Sequence, residues 1–351
     1  MSLSSQDLTL LVTGGAGFIG SNFVLHMLQT YPDCRIVTLD KMTYAADEAN
    51  LATIANNPRH TFVKGDIGNR DVVEGLFKAY DIRGVIHFAA ESHVDNSIRG
   101  PEVFFQTNVM GTFTLVDVAR QYWMSAPGVY KPEYEGCRFH HISTDEVYGT
   151  LGDTGFFHET TAYAPNSPYS ASKAGSDFVV RSYAHTYGMD VVTTNCSNNY
   201  GPRQHAEKLI PTIIRSALAG KPIPIYGDGK NVRDWLYVQD HCEAIDVVFR
   251  TGRSGETYNV GGVNEMTNLG VVATICGLLD ELVARDNGSY SDLITFVTDR
   301  AGHDRRYAID IAKIKAELGW QPRETFETGI RKTVEWYLGK FGASSPLAVA
   351  V

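Results

Sequence analysis

A tyrosine and a lysine lie four positions apart in the stretch SPYSASK, between Ser167 and Lys173. Ser167 can cap a helix, Pro168 suits the first helical position and Gly188 can end it, so the pattern predicts a helix of about five turns. Residues i and i+4 share a helix face, so Tyr169 and Lys173 should point the same way. A nearby cation favours a phenolate and lowers its pKa from the usual value of about 10. The pair could then accept a proton from an alcohol while a hydride leaves.

The same spacing is common on surface helices, and that is the better explanation of an isolated YxxxK. Here a glycine-rich turn, TGGAGFIGSN, occurs upstream, directly after an apolar run. Two patterns overlap in it, because Gly15, Gly17 and Gly20 fit GxGxxG, whereas Gly14, Gly17 and Gly20 fit GxxGxxG. Such glycines let the backbone approach a pyrophosphate, which the N-terminus of a helix expected from Phe18 would stabilise. A dinucleotide is therefore the expected hydride acceptor.

An acid at the end of the second predicted strand indicates which dinucleotide. Asp40 stands where a carboxylate accepts hydrogen bonds from a ribose 2′-hydroxyl and repels a 2′-phosphate. NAD is therefore favoured over NADP, although the neighbouring Lys41 weakens the argument. A purely structural glycine turn is the alternative, and the combination of strand, helix and acid argues against it.

The elements that must position these groups can be read from the hydrophobic pattern. Buried strands are predicted at residues 8–13, 35–40, 60–66, 84–90, 137–143 and 190–196. Because helix-like segments separate most of them, the strands should be parallel and form a Rossmann-like, doubly wound α/β sheet. We expect an NAD-binding domain at residues 1–200, with returning segments at about 235–262. Residues 201–234 and 263–351 are expected to form a smaller C-terminal lobe that binds the substrate.

The composition excludes several classes of protein. A net charge of -9 and a pI near 5.7 argue against binding to nucleic acid or to an anionic membrane surface. No long apolar run or cleavable leader is present, so neither a membrane span nor a secretory signal is expected. Five cysteines without CxxC spacing indicate free thiols and a cytoplasmic location, and the eleven histidines show no metal-ligand spacing.

Several motifs together resemble the extended short-chain dehydrogenase/reductase family of nucleotide-sugar enzymes. They are TGxxGxxG, Asp66-Ile67 after the third strand, FAAESHVD at the fourth, NVMGT on the next helix and YxxxK. The resemblance covers residues from about 8 to about 340. It implies NAD contacts at Gly14, Gly17, Phe18, Ile19, Gly20, Asp40, Lys41, Thr43, Asp66, Ile67, Phe88, Ala89, Ala90, Ser92, Thr107, Tyr169, Lys173 and Asn199.

Two adjacent acids follow the fifth predicted strand in the sequence STDEVYG. A solvated loop pair or a helix cap is the ordinary explanation, but ligands bind at this edge of an open sheet. The 4-epimerases of the family usually have small residues here, whereas Thr144-Asp145-Glu146 is similar to the triplet of the 4,6-dehydratases that act on dTDP-glucose. In such an enzyme Glu146 would remove the C5 proton, and a protonated Asp145 would supply a proton to the departing C6 oxygen. Thr144 would bind the C4 oxygen beside Tyr169.

The resemblance also implies a nucleotide-sugar site. Its residues would be Ser92, Thr144, Asn198, Lys208, Leu209, Pro224, Tyr226, Arg233, Asn268, Arg300 and His303. Pro224 and Tyr226 would flank the base, and Arg233 would hold the diphosphate. An ordinary cationic surface is the alternative, but a protein of net charge -9 gains from concentrating Lys208, Arg233 and Arg300 around a dianion. The family more usually has Tyr, Phe and Pro where this chain has Arg203, His205 and Ala206, which leaves the preferred nucleotide open.

These features predict an NAD-dependent 4,6-dehydratase with dTDP-glucose as the first choice of substrate. The alternatives are a dehydratase of another nucleoside diphosphate hexose, a UDP-hexose 4-epimerase and a non-catalytic NAD-binding regulator. Asp145 and Glu146 argue against an epimerase, and the intact Tyr169 and Lys173 argue against a regulator. Helices expected at 102–121 and 168–187 correspond to helices that pair between subunits in relatives, so a homodimer is expected, although burial against the chain's own sheet would explain part of the pattern.

Overall fold

The computed structural model describes residues 8–299 and 304–342, which form fourteen strands and eleven α-helices. The strands are β1 Thr9–Thr13, β2 Arg35–Asp40, β3 His60–Lys64, β4 Gly84–His87, β5 Met124–Ala126, β6 Val129–Tyr130, β7 Arg138–Thr144, β8 Val191–Cys196, β9 Asn198–Tyr200, β10 Ile223–Tyr226, β11 Val232–Tyr237, β12 Thr257–Val260, β13 Glu265–Thr267 and β14 Ile294–Val297. The helices are α1 Phe18–Thr30, α2 Arg70–Tyr80, α3 Val94–Arg99, α4 Glu102–Phe104, α5 Thr112–Trp123, α6 Pro168–Tyr187, α7 Leu209–Leu218, α8 Val238–Thr251, α9 Asn268–Leu282, α10 Ala312–Leu318 and α11 Phe326–Lys340. A π-helical segment, Phe105–Gly111, joins α4 to α5, and a 3₁₀-helix, Asp145–Tyr148, follows β7.

Seven of the strands form one parallel sheet in the order β12-β8-β7-β4-β1-β2-β3. Side chains alternate along each strand, so the two faces of the sheet pack against different helices. In β1, Leu11 packs in a cluster with side chains of α2, α5 and α6, whereas Leu10 and Val12 pack with those of α1 and α8. Helices therefore cover both faces, which confirms the predicted Rossmann-like, doubly wound α/β sheet.

All six predicted strands occur, but two of them end earlier than predicted, and β3 stops at Lys64 rather than at residue 66. The apolar run at 84–90 predicts a strand along its full length, whereas β4 ends at His87. Phe88, Ala89 and Ala90 leave the sheet and line the cavity described below. An apolar run alone does not distinguish a strand from a loop that lines a ligand site, because the backbone of such a loop is also buried.

A second hydrophobic cluster lies in the C-terminal half of the chain. It is formed mainly by α7, α9 and α11, together with residues of β10 and β11. Two small sheets accompany it, a parallel pair β10-β14 and a three-stranded sheet β13-β11-β9. Two later segments return to the large sheet, where β12 pairs with β8 and Ile314 of α10 packs beside Val192 of β8. The domain boundaries given above remain a prediction.

Within residues 8–299 and 304–342, no helix is both long enough and apolar enough to cross a membrane.

Candidate active site

A cavity of about 320 Å³ lies at the carboxyl edge of the large sheet. This is the place where open α/β sheets bind ligands, and the volume lies in the range of small-molecule sites. All five predicted catalytic residues line it, and so does every residue predicted to contact NAD. The tertiary structure thus brings together groups from the ends of five strands. The roles assigned to them remain predictions.

The glycine-rich turn is shaped by its neighbours. Gly14 has a φ of +70°, and a Cβ there would lie 2.7 Å from the backbone nitrogen of Ala89. A Cβ at Gly20 would lie 2.4 Å from the carbonyl oxygen of Gly14. The helix α1 begins at Phe18 with no side-chain cap and no acid in its first turn. Its N-terminal N–H groups and its positive dipole end therefore suit a pyrophosphate, so the residues present fit a dinucleotide.

Asp40 is buried at the end of β2, beside this turn. Its Oδ2 accepts the N–H of Ala16 at 3.0 Å, and its Oδ1 accepts the N–H of Met42 at 2.9 Å. Burial raises the pKa of Asp40, and these two hydrogen bonds oppose the rise. Lys41 forms an ion pair with Asp66 at 2.7 Å rather than with Asp40. The argument for NAD over NADP is therefore stronger than the sequence alone allowed.

Tyr169 and Lys173 lie in the first two turns of α6, whose boundaries are those predicted. Ser167 caps the helix, and Gly188 ends it with a φ of +63°. Lys173 is only 4% exposed, and its Nζ donates to the carbonyl of Ile142 at 2.8 Å. A buried cation needs such a partner.

The pKa of Tyr169 differs from the expectation. The sequence predicts a value lowered by Lys173, whereas burial, followed by the charge of Glu146, raises the pKa of Tyr169 well above its usual value. A hydrogen bond with the Thr144 side chain opposes the rise. Burial of the phenol is thus a larger effect than the neighbouring ammonium, because desolvation disfavours the charged form.

Asp145 and Glu146 begin the 3₁₀-helix after β7. Asp145 is 2% exposed, and its Oδ2 has no hydrogen-bond partner among the described residues. Burial raises the pKa of Asp145 well above its ordinary value, and the carboxylates of Glu146 and Asp234 add to the effect. Arg233 and Thr144 oppose it less. The geometry therefore favours a neutral carboxylic acid beside a second carboxyl group.

The predicted substrate residues divide into two groups. Ser92, Thr144, Asn198 and Lys208 line the cavity, and the Nζ of Lys208 donates to the carbonyl of Ser92 at 3.3 Å. The structure places the others away from the cavity lining, and these are Leu209, Pro224, Tyr226, Arg233 and Asn268. Arg300 and His303 lie outside the described residues. All of these assignments remain predictions.

Arg233 illustrates the second group. It is buried on β11, donates to the carbonyls of Val232 and Asp304 at 2.8 and 2.9 Å, and stacks on Tyr307 with its guanidinium carbon 4.4 Å from the ring centre. Its charge nevertheless reaches Asp145, where it opposes the raised pKa.

Several lining residues were not predicted. They are Leu39, Ala45, Ala46, Gly65, Glu91, Ile142, Ser143, Cys196, Ser197, Gln204 and His205. Most stand next to a strand end, which is the sequence signal that could have found them. Gln204 and Asn198 each have a buried side-chain oxygen without a hydrogen-bond partner in the described part of the chain. A polar ligand would supply such partners.

Among the described residues, no three or more histidine, cysteine, aspartate or glutamate side chains are arranged to hold a metal ion.

Comparisons with known proteins agree with this geometry. A family model described as GDP-mannose 4,6 dehydratase matches residues 11–333. The dTDP-glucose 4,6-dehydratase of Xanthomonas campestris pv. campestris is 58% identical over 331 residues, which are 94% of this chain and 93% of the relative. The crystal structure of dTDP-glucose 4,6-dehydratase from Bacillus anthracis, in complex with NAD, is 47% identical with a TM-score of 0.84 and covers 95% of this chain and 98% of that one. The structure of the enzyme of that name from Streptomyces venezuelae, with NAD and dTDP bound, is 46% identical with a TM-score of 0.85 and covers 97% of this chain and 100% of that one.

Proposed function

The chain belongs to the GDP-mannose 4,6 dehydratase family, and from this premise we propose that it is an NAD-dependent dTDP-glucose 4,6-dehydratase. It converts dTDP-glucose to dTDP-4-keto-6-deoxyglucose with loss of one water, as a hydro-lyase. One observation carries the proposal beyond family membership. A buried carboxyl group that favours its neutral form, Asp145, stands beside Glu146 in the same cavity as Tyr169, Lys173 and the dinucleotide turn.

The reaction requires the transfer of protons at three atoms of the sugar, namely the C4 oxygen, C5 and the C6 oxygen. NAD, when bound, accepts a hydride from C4 and returns it to C6, so no external oxidant is consumed. The residues that would hold it are those of the glycine turn, Asp40, and the strand-end residues along the cavity. The protein's own side chains must carry out the proton transfers.

Tyr169 is the base for the C4 hydroxyl. It accepts the proton as its phenolate, the form that burial disfavours, and the positive charges of Lys173 and of the nicotinamide ring of bound NAD would oppose that effect. Its hydroxyl shares a hydrogen bond with Thr144, so both side chains can meet the C4 oxygen. Lys173, held by the carbonyl of Ile142, places a positive charge on the same helix face. Positioning by these buried groups orients the phenol for proton transfer.

Asp145 and Glu146 then perform the elimination. The ketone at C4 makes the C5 proton acidic, and Glu146 removes it. Hydroxide is a poor leaving group, so the C6 oxygen needs a proton, which a neutral Asp145 donates as the C6–O bond breaks. When the hydride returns to C6, an acid returns a proton to C5, and this gives the 4-keto-6-deoxy sugar. Adjacent carboxyl groups in a desolvated site favour this division into acid and base.

A 4-epimerase, the main alternative, shares the fold and the cofactor. An epimerase only needs to oxidise and reduce C4, so it has no use for an acid and a base beside the C5–C6 bond. Asp145 and Glu146 therefore favour the dehydratase.

The substrate's diphosphate brings two negative charges to an acidic protein. Lys208 lines the cavity, and the charge of Arg233 reaches Asp145. We assign the diphosphate to these cations, with Pro224 and Tyr226 of β10 beside the base. Tyr226 is exposed, so its ring is accessible to stack on a base.

The function can be tested with the purified protein, its NAD content and separate dTDP-, UDP-, CDP- and GDP-glucose, without added reductant. Mass spectrometry should show loss of one water, fastest with dTDP-glucose, and in heavy water the product should carry deuterium at C5. An epimerised sugar of unchanged mass would contradict the proposal. A product without deuterium at C5 would remove Glu146 from its role.

We also propose a homodimer. Apolar side chains stay exposed along the segment from α3 to α5 and on α6, namely Ile98, Val103, Phe105, Met110, Phe113 and Phe178. A monomer would leave this surface in water, whereas a second copy would cover it. All five cysteines are free and buried, which fits a reducing compartment, and we place the protein in the cytoplasm.

The homodimer yields a direct prediction. Replacement of both Phe105 and Met110 by glutamate should convert the dimer to a monomer, because four charges, two from each subunit, would be buried at the interface. Light scattering after size-exclusion chromatography measures the mass. Val263→Glu, at an exposed apolar position far along the chain, is the control and should remain dimeric. A monomeric wild-type protein would refute the proposal.

A further inference from the structure

A buried aspartate lies one helical turn beyond Lys173 and has no part in the reaction described above. Asp177 is 5% exposed. Its Oδ1 accepts a hydrogen bond from Nε2 of His141 at 2.9 Å. Its Oδ2 accepts the hydroxyls of Ser143 at 2.8 Å and Tyr163 at 3.0 Å. Three hydrogen bonds from neutral donors compensate a buried carboxylate.

Asp177 and Lys173 together hold one end of β7. Lys173 binds the carbonyl of Ile142, and Asp177 binds the side chains of the residues on either side, His141 and Ser143. Two side chains of α6 therefore contact three successive residues of the strand. The next residue is Thr144, where the catalytic triplet begins. The position of α6, which carries Tyr169, relative to the segment that carries Asp145 and Glu146 depends on these contacts.

The hydrogen bonds continue to the far side of the acid segment. The hydroxyl of Tyr163 accepts Nδ2 of Asn195 at 3.1 Å, and the same amide donates to the hydroxyl of Tyr148 at 2.9 Å. Tyr148 ends the 3₁₀-helix that begins with Asp145. One connected network of hydrogen bonds thus contacts both the first and the last residue of the segment 143–148. Nδ1 of His141 and Oδ1 of Asn195 have no hydrogen-bond partner among the described residues, so the geometry of this segment depends on the hydrogen bonds named above.

Charge links Asp177 to Lys173 as well. Burial lowers the pKa of Lys173, and Asp177 opposes that effect. Burial raises the pKa of Asp177 to about 6, with Lys173, Ser143 and Tyr163 opposing the rise. The carboxylate is therefore ionised at neutral pH, as its three donors require.

We infer that Asp177 is a positioning residue for the oxidation at C4, which holds Lys173 and the strand end before Thr144 in one fixed arrangement. The catalytic part of this inference rests on the proposed function. Asp177 itself does not line the cavity, so it acts through Lys173 and Ser143.

Asp177→Asn tests the inference. The amide has the same size, but it brings an N–H₂ group toward three donors, so at least one hydrogen bond is lost. Asp117→Asn is the matched control, because Asp117 is also buried and also contacts α6, through the hydroxyl of Tyr183 at 3.1 Å. Neither residue belongs to the catalytic or binding set.

Two readouts, hydrogen–deuterium exchange and an isotope effect, separate positioning from a general loss of stability. Hydrogen–deuterium exchange should become faster in residues 142–148 of Asp177→Asn and stay unchanged there in Asp117→Asn. Turnover of dTDP-glucose should fall by about 10- to 100-fold in Asp177→Asn. The primary isotope effect of substrate deuterated at C4 should also become larger than in wild type. An isotope effect is a ratio of rates, so a smaller folded fraction does not change it.

The outcomes are distinguishable. Unchanged exchange in 142–148, or an isotope effect equal to that of wild type, would overturn the inference while leaving the proposed function intact. A wild-type protein without turnover on any of the four nucleotide sugars would overturn the proposed function and the catalytic part of this inference. Should Asp177→Asn not fold, Tyr163→Phe removes one of the three hydrogen bonds and should shift both readouts in the same direction by a smaller amount.

Discussion

Tyr169→Phe is expected to lower the turnover of dTDP-glucose by about 10²- to 10⁴-fold, the usual contribution of a positioned acid or base. The change removes one oxygen atom and keeps the ring, which packs edge-on against Phe104 with centroids 6.4 Å apart. Without the hydroxyl no group accepts the C4 proton, so the hydride cannot leave. The measurement is the near-ultraviolet absorbance of reduced nicotinamide after substrate is added, which should be absent.

Tyr183→Phe is the matched control for this experiment. Tyr183 is buried on the same helix, and its hydroxyl donates a hydrogen bond to Asp117 at 3.1 Å. Loss of that hydrogen bond to a carboxylate should lower the free energy of unfolding by about 1.5–3 kcal/mol and leave turnover near the wild-type value. If Tyr169→Phe reduced its bound NAD at the normal rate, the phenol would not be the base.

Asp145→Asn should slow the loss of water by a similar factor of about 10² to 10⁴, because an amide cannot donate the proton that the C6 oxygen needs. The oxidation at C4 does not use this acid and should continue. Reduced cofactor should therefore accumulate on the variant after dTDP-glucose is added, and the quenched mixture should contain little dehydrated product. Rapid-quench mass spectrometry and absorbance follow the two steps separately.

The pH dependence gives a second test of the same residue. Burial and Glu146 raise the pKa of Asp145 well above its ordinary value, so the protonated, active form persists to higher pH than in an ordinary aspartate and is lost as the pH rises through that raised value. Wild-type turnover should consequently fall on the alkaline side, and the residual turnover of Asp145→Asn should lack this fall.

Asp246→Asn is a control for the substitution. This acid is also buried, but it lies on α8 and forms an ion pair with Arg250 at 2.8 Å, outside the cavity lining. It should keep both the turnover and the alkaline fall. Equal slowing of oxidation and water loss in Asp145→Asn would count against the acid assignment.

Part of this site follows from local sequence. The turn after β1 needs glycine because backbone approaches backbone there, and the pattern of glycines shows it directly. The helix α6 begins and ends where its capping residues predict, since a cap involves only neighbours within one turn. The parallel sheet follows from the alternation of apolar runs with helical segments. The two acids could be placed at the sheet edge because they follow a strand.

The tertiary structure alone decided the electrostatics. Burial, Glu146 and Asp234 raise the pKa of Asp145. Asp234 comes from a strand much later in the chain, and no local pattern brings it beside Asp145. The pKa of Tyr169 rises where the YxxxK spacing predicts a fall, because spacing describes one neighbour and desolvation depends on all of them. The hydrogen-bond network around Asp177 also joins strand residues to a loop tyrosine, and these residues come from segments that no local pattern brings together. Sequence therefore determines which groups are present and which local elements carry them, whereas the packing of distant segments determines their charge and their relative positions.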